Sequence, residues 1–281
     1  MTAQLLDGRS MANRIRDEIK AEVARFVEQH GRAPSLAVVR AGDDPPSVSY
    51  AKMIQKTADQ VGIHFAPSFV PVETTEADLV RIVAELSGDD AIDGIMVQEP
   101  LPRGISRDAV IAALNPAKDV DGVHPYNVGL LMQGAGEYFP PATPAGGIEL
   151  LERYGIPLNG KRAVVVGRSN VVGRPMAMLL LHRNATVTIC HSRTADLAQE
   201  CRRAEILVAA IGKAKLIKGD MVAPGAAVVD FGVNFVEGQM VGDVDFAVVS
   251  EHAAWITPVP GGTGPMTNVM LMRNVLKAAA H

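Results

Sequence analysis

Twice along this chain, short apolar runs alternate with segments whose apolar residues recur every third or fourth position. Met11, Ile15, Ile19, Val23 and Val27 return every fourth residue, which predicts an amphipathic helix over 11–30, capped by Ser10 and ended by Gly31. Residues 36–39 then read as a buried strand, 47–61 as a helix bounded by Ser47 and Gly62, and 65–72 as another strand. A helix near 75–86, with Leu79, Ile82, Val83 and Leu86 on one face, a strand at 94–98 and a helix at 106–114 complete the first series. Past Gly160 the alternation resumes with KRAVVVG, a helix after Gly173, ATVTIC, a helix after Thr194, EILVAAIG and AAVVDFG. Such alternation implies an α/β fold with a mostly parallel sheet covered on both faces. At 281 residues and 48% hydrophobic, the chain has enough apolar surface for two such units.

Between Asn115 and Ala142 the periodicity fails, and the segment is rich in Gly, Pro, Asp and Asn; a connection this long is usually functional or interdomain. Thr143 and Pro144 read as the cap and first position of a helix to Tyr154. The closing PVPGGTGPMTNVMLMRNVLKAAA is a Pro/Gly loop followed by a last helix.

The charge excludes some classes. A net charge of -4 gives no general pull toward nucleic acid or an anionic membrane. No apolar run approaches the roughly 20 residues that span a bilayer, and MTAQLLDGRSMANRIRDEI lacks the apolar core of a signal peptide. Cys190 and Cys201 form no CxxC and read as reduced thiols of a cytoplasmic protein. The histidines show no metal-ligand spacing, and the loop holding Asp119 and Asp121 lacks the remaining positions of a calcium loop. No metal is expected.

AVVVGRSNVVGRPMAMLLL has the strand, turn and helix order of a dinucleotide-binding unit. Gly167 lets the chain turn off the strand, Gly173 lets the helix pack close, and the helix start offers free N–H donors to a pyrophosphate. The spacing departs from G-x-G-x-x-G, because Ser169 holds the middle position and the last glycine comes one residue late; an ordinary tight turn would suit these glycines equally. The second strand of NAD-binding units commonly ends near a carboxylate that binds the ribose. Here ATVTIC runs into His191, Ser192, Arg193 and Thr194. A hydroxyl and a guanidinium, with Arg168 in the turn, suit a 2′-phosphate, so NADP is expected rather than NAD. The alternative for Arg193 is a solvated loop charge.

The stretches AGDDPPSVSY, GIMVQEPLP, KDVDGVHPYNVG, PATPAGGIELL, GKRAVVVGRSNVVGRPMAMLLL, ATVTICHSRT, DFGVN and ITPVPGGTGPMT together make the chain resemble the bacterial FolD family. Members of that family are bifunctional methylenetetrahydrofolate dehydrogenases and methenyltetrahydrofolate cyclohydrolases. The resemblance implies oxidation of 5,10-methylenetetrahydrofolate to the methenyl cation with NADP, then hydrolysis to 10-formyltetrahydrofolate, in a cytoplasmic homodimer of one-carbon metabolism. It implies an N-terminal three-layer α/β domain over 1–122, completed by a C-terminal helix at about 266–281, and a Rossmann-like NADP-binding domain over 140–262, with folate in the cleft. Tyr50 would stack on the folate, Asp121 would bind the pterin, and Gln98 would sit beside the reacting carbon. Pro260, Gly261 and Gly262 would close the site, while Gly167, Arg168, Ser169, Gly173, Ser192, Arg193 and Val233 would hold the cofactor.

One position departs. The resemblance implies a lysine four residues after Tyr50, assigned to hydrolysis, and the residue there is Ile54. At about 100° per residue, position 54 shares Tyr50's face, whereas Lys52 and Lys56 lie roughly 160° and 120° away. Ile54 also falls on the apolar stripe Ala51, Ile54, Ala58 and Val61, where it reads as core. Hydride loss needs alignment, because folate nitrogens delocalise the cation; hydrolysis needs proton transfer, typically worth about 10² to 10⁴ in rate. The expected outcome is a dehydrogenase with weak or absent cyclohydrolase activity. The alternatives are a fully bifunctional enzyme using Lys56 or another group, a non-catalytic folate-binding homologue, and an NADP dehydrogenase of another small substrate. Glu99, where the resemblance implies leucine, either brings a carboxylate near the reacting carbon or points to solvent.

Overall fold

The computed structural model describes residues 2–281. The chain divides into two compact units: residues up to Ala12, 131–134 and 143–267 form one, and 13–130, 135–142 and 268–281 the other. In chain order, β1 (Gln4–Leu5) and α1 (Gly8–His30) come first, then β2 (Ser35–Ala41), α2 (Pro45–Val61), β3 (His64–Val70), α3 (Glu76–Gly88), β4 (Gly94–Val97) and α4 (Arg107–Ala112). Helices α5 (Pro125–Gln133) and α6 (Ala142–Arg153) follow. The second series is β5 (Arg162–Val166), α7 (Gly173–Leu181), β6 (Thr186–Cys190), α8 (Leu197–Arg202), β7 (Ile206–Ala209) and β8 (Ala227–Asp230). It ends in β9 (Asn234–Val236), β10 (Gln239–Val241), α9 (Phe246–Val249), β11 (Trp255–Ile256) and α10 (Thr263–Ala279).

The smaller sheet is parallel, in the order β3-β2-β4, with Leu36 opposite both Phe65 and Gly94. One face of β2 and β4, through Ala37, Val39, Ile95 and Val97, packs against Leu79, Val83, Val110 and Ile111 of α3 and α4. The larger sheet is also parallel, six strands in the order β1-β11-β8-β7-β5-β6, in a Rossmann-like arrangement. Its inner strands β7 and β8 are buried throughout, as a sheet covered on both faces requires. Each buried Val, Leu or Ile contributes about 1.5–3 kcal/mol, so these strands anchor the loops at their ends.

The structure corrects several expectations. Ser10 lies inside α1, and Asp7 takes the capping role, its Oδ1 accepting from Ser10 N–H at 3.0 Å. Asp44, not Ser47, caps α2: Pro45 and Pro46 lack the N–H groups that the first turn cannot use, and Asp44 Oδ2 accepts from Ser47 N–H at 3.3 Å. Gly62, at φ 84°, ends α2 as expected. The supposedly aperiodic 115–142 contains α5, whose Tyr126, Val128 and Met132 are exposed and so erase the helical pattern. Residues 2–12, expected with the first domain, belong to the larger-sheet unit, since β1 pairs with β11 through Gln4↔Trp255 and Leu5↔Ile256. The β9–β10 hairpin was not foreseen; Glu237 and Gly238 both take positive φ, which a two-residue turn matched to strand twist requires.

Candidate active site

In the smaller-sheet unit, the first turn of α2 and the end of β4 meet. Asp44 caps the helix, and Gln98, just past β4 and 3% exposed, donates from Nε2 to the Ser47 carbonyl at 2.6 Å. That bond fixes the amide plane. It leaves Gln98 Oε1 buried with no hydrogen-bond partner among the described residues, an arrangement that is uncommon unless a ligand donor completes it. Tyr50 is half-buried on α2. Burial first, then the nearby Asp121 carboxylate, raises its pKa, so the phenol stays protonated and offers an O–H donor rather than a base.

Two neighbouring carboxylates divide into separate roles. Asp119 is fully buried and accepts from Val123 N–H (3.1 Å), His124 N–H (2.8 Å) and Asn127 Nδ2 (2.8 Å), which ties the loop to α5. Asp121 makes no side-chain hydrogen bond among the described residues, and its carboxyl is pushed up to about 7, by burial first and then by Asp119 and Glu99, against the pull of Arg107. It is free for a ligand, and near neutrality it can either donate or accept. Arg107 carried no sequence signal, since its partner Glu99 lies on a different element: Arg107 Nε donates to Glu99 Oε1 at 2.6 Å. Glu99 is thus a half-exposed ion-pair partner.

Ile54 is completely buried in the α2 stripe with Ala51, Ala58 and Val61. Lys56 is exposed and lines a shallow open groove with Lys52, Gln55, Asp59 and Gln60. The charges acting on Asp121 are Asp119, Glu99 and Arg107, with no lysine among them. The structure therefore puts Tyr50 near Asp121, ties Gln98 to the α2 turn that leads to Tyr50, and leaves Lys56, the possible substitute, exposed in the groove.

In the larger-sheet unit, the expected cofactor residues gather at the carboxyl ends of the strands, where ligands of open parallel sheets bind. Gly167 leaves β5 at φ 134°, and its N–H donates to the Cys190 carbonyl at 2.9 Å. A Cβ at Gly167 would overlap the Ala210 carbonyl, and one at Gly173 the Gly167 carbonyl; the turn is a cradle that a side chain would fill. Ser169 Oγ accepts from Val172 and Gly173 N–H, both at 3.2 Å, shaping the entry to α7. At the end of β6, Thr194 Oγ1 accepts from His191 N–H at 2.9 Å, and Arg193 N–H donates to His191 Nδ1. Ser192 and Arg193 in that closed turn are exposed, as is Arg168 in the turn after the neighbouring strand β5. Val233, 62% exposed, leaves β8. The donor set of two guanidiniums and a hydroxyl fits the 2′-phosphate of NADP. Pro260, Gly261 and Gly262 lie against the first turn of α1: Arg9 N–H donates to the Gly261 carbonyl at 3.0 Å, and only glycine at position 8 leaves space for the Gly262 carbonyl.

Both parts of the chain match known proteins. Residues 6–121 match the "Tetrahydrofolate dehydrogenase/cyclohydrolase, catalytic domain" and residues 141–281 its "NAD(P)-binding domain". The bifunctional protein FolD of Roseiflexus sp. (strain RS-1) is 57% identical over 280 residues, covering 99% of this chain and 97% of its own. The crystal structure of the bifunctional enzyme FolD from Campylobacter jejuni superposes with a TM-score of 0.97 at 43% identity, over 99% of each chain. The Trypanosoma brucei methylenetetrahydrofolate dehydrogenase-cyclohydrolase, complexed with NADP cofactor and inhibitor, gives 0.94 at 37% identity, over 100% of this chain and 98% of that one. With both of its units matched in order, the chain belongs to the tetrahydrofolate dehydrogenase/cyclohydrolase family.

Proposed function

We propose that this chain is an NADP-dependent 5,10-methylenetetrahydrofolate dehydrogenase in which the hydrolytic step has lost its amine. The observation that carries the reading is Ile54: fully buried and apolar on the face of α2 next to Tyr50, with no lysine acting on Asp121. Tyr50 supplies a flat, protonated ring for the folate, and Asp121 and the unpaired Gln98 Oε1 supply polar partners for ring and linker N–H groups. The Gly167 cradle, Ser169 and Gly173 receive the pyrophosphate; Arg168, Ser192 and Arg193 meet the 2′-phosphate; Val233 offers an apolar wall. NADP, when bound, accepts the hydride. The protein's part in that step is alignment, because the folate nitrogens stabilise the cation without a protein base. Hydrolysis also needs a proton moved to and from water and nitrogen, and neither Ile54 nor the exposed Lys56 is placed to move it.

Two spectrophotometric assays test the reading. Methylenetetrahydrofolate with NADP should give reduced cofactor at an enzymatic rate, which would exclude a non-catalytic folate-binding homologue. Methenyltetrahydrofolate supplied directly should decay no faster than in buffer; rapid decay would favour the fully bifunctional alternative. NADP binding without turnover of the folate would point to another small substrate. A cytoplasmic homodimer belongs to the same reading, supported by the exposed apolar Phe235 and Val236 of the β9–β10 hairpin, and size-exclusion with light scattering checks it.

A further inference from the structure

Two buried carboxylates that hydride transfer does not use lie at the carboxyl end of the larger sheet. Asp230 ends β8 and is 2% exposed; Asp243, two residues past β10, is wholly buried. Neither forms an ion pair with a lysine or arginine among the described residues. A buried carboxylate without a counter-ion persists only where N–H donors satisfy it. Asp243 Oδ2 accepts from the backbone of Ile211 (2.6 Å) and Gly212 (2.9 Å), and Oδ1 from Lys213 N–H (2.9 Å) and Asn234 Nδ2 (2.9 Å). Asp230 carries the next layer: Oδ1 accepts from Gly232 (2.8 Å) and Asp243 (3.1 Å) N–H, and Oδ2 from Val244 N–H (2.9 Å). Its own backbone reaches the residues flanking the PVPGG turn, since its N–H donates to Thr257 Oγ1 (2.8 Å) and its carbonyl accepts from Thr263 Oγ1 (2.9 Å). Glycines make room for this stack; a Cβ at Gly232 would overlap the Asp243 carboxyl, and one at Gly242 the Asp230 carboxyl.

The segments so held border one half of the cofactor site. In the strand order β8-β7-β5-β6, the β5 turn takes the pyrophosphate and the β6 end the adenosine 2′-phosphate, so the other half of the dinucleotide extends over β7 and β8. Ile211–Lys213 leaves β7, and Val233 leaves β8 and leads into Asn234 at the start of β9. We propose that Asp243, seated on Asp230, is a positioning residue that locks the β7 and β8 exit loops and the PVPGG turn into one register for the nicotinamide half of the cofactor. The proposal rests on the NADP reading. Preformed loops spare the ordering cost that binding would otherwise carry.

The test uses Asn234→Ala, which removes one of the four donors to Asp243, and the isosteric Asp243→Asn, which sets an amide against N–H donors. Affinities for NADP, for adenosine 2′,5′-bisphosphate as a probe of the adenosine half, and for tetrahydrofolate are measured on folded protein. The expected result is an NADP dissociation constant raised roughly 3- to 10-fold in Asn234→Ala and further in Asp243→Asn, with the bisphosphate and tetrahydrofolate binding as in the wild type. NADP affinity equal to wild type in Asn234→Ala overturns the proposal, as does a parallel loss for the bisphosphate, which would mark general loosening. If Asp243→Asn does not fold, Asn234→Ala decides alone. A wild type that binds neither NADP nor the bisphosphate refutes the cofactor reading instead, and this inference with it.

Discussion

Asp119 and Asp121 are two residues apart with identical side chains, yet one accepts three hydrogen bonds and the other none among the described residues. The difference has a measurable sign. Burial first, then Asp119 and Glu99, lifts the folded Asp121 carboxyl from 3.8 to about 7, so the stability tied to its protonated form is complete below 3.8 and lost as pH rises through about 7. Asp121→Asn should therefore melt higher than wild type at pH 8, by roughly 2–8 °C, the shift that about 1–2 kcal/mol brings in a chain of this size. The gain should shrink toward pH 5 and vanish below about pH 4; thermal melts across that range check it. Position 54 carries the second residue-scale prediction. Ile54→Ala should cost roughly 2–5 kcal/mol in denaturant unfolding and add no hydrolysis. Ile54→Lys should also lower the melting temperature, yet speed methenyltetrahydrofolate decay by about 10²-fold or more. Absence of that gain would show that the deficit does not lie at position 54. The identities of Tyr50, Gln98 and Asp121 as candidates were legible in the sequence through their motifs, whereas Arg107 was not, because its pairing with Glu99 is made across the fold.

At the scale of elements, the helix starts position the chemistry. The first turn of α2 is held from both sides, by the Asp44 cap and by Gln98 bound to the Ser47 carbonyl. Asp44→Ala should cost about 1 kcal/mol of stability and raise the KM for methylenetetrahydrofolate more than it lowers kcat, a split that steady-state kinetics resolves. At the start of α7, Gly173→Ala would drive a methyl group into the Gly167 carbonyl. NADP affinity should fall by at least about 10-fold while tetrahydrofolate binding to the other unit is retained, as direct titrations of each ligand would show. The long helices and inner strands were readable because their apolar period is dictated by local geometry. Their starts were misplaced at Ser10 and Ser47, where serines stood near the right position but the aspartates three residues earlier made the caps. Helix α5 was missed because three of its apolar residues face outward.

For the molecule as a whole, a ligand that binds only the folded larger-sheet unit must stabilise it. NADP at 100 times its dissociation constant should contribute about 2.7 kcal/mol, seen as a raised melting temperature, and NAD at the same concentration should contribute less, because Arg168 and Arg193 would then lack the 2′-phosphate. Equal shifts would place the arginines outside the site. By itself the sequence determined the parallel α/β architecture in two units and the order of the family's motifs, since both are read from residue type and period along the chain. Only the tertiary structure decided that Gln4–Leu5 joins the larger sheet, that Lys56 stays outside the Tyr50 group, and that Asp243 gathers Ile211, Gly212, Lys213 and Asn234. Each is a matter of which hydrogen-bond donors and charges arrive from distant segments, and burial makes those partners obligatory without writing them into any local pattern.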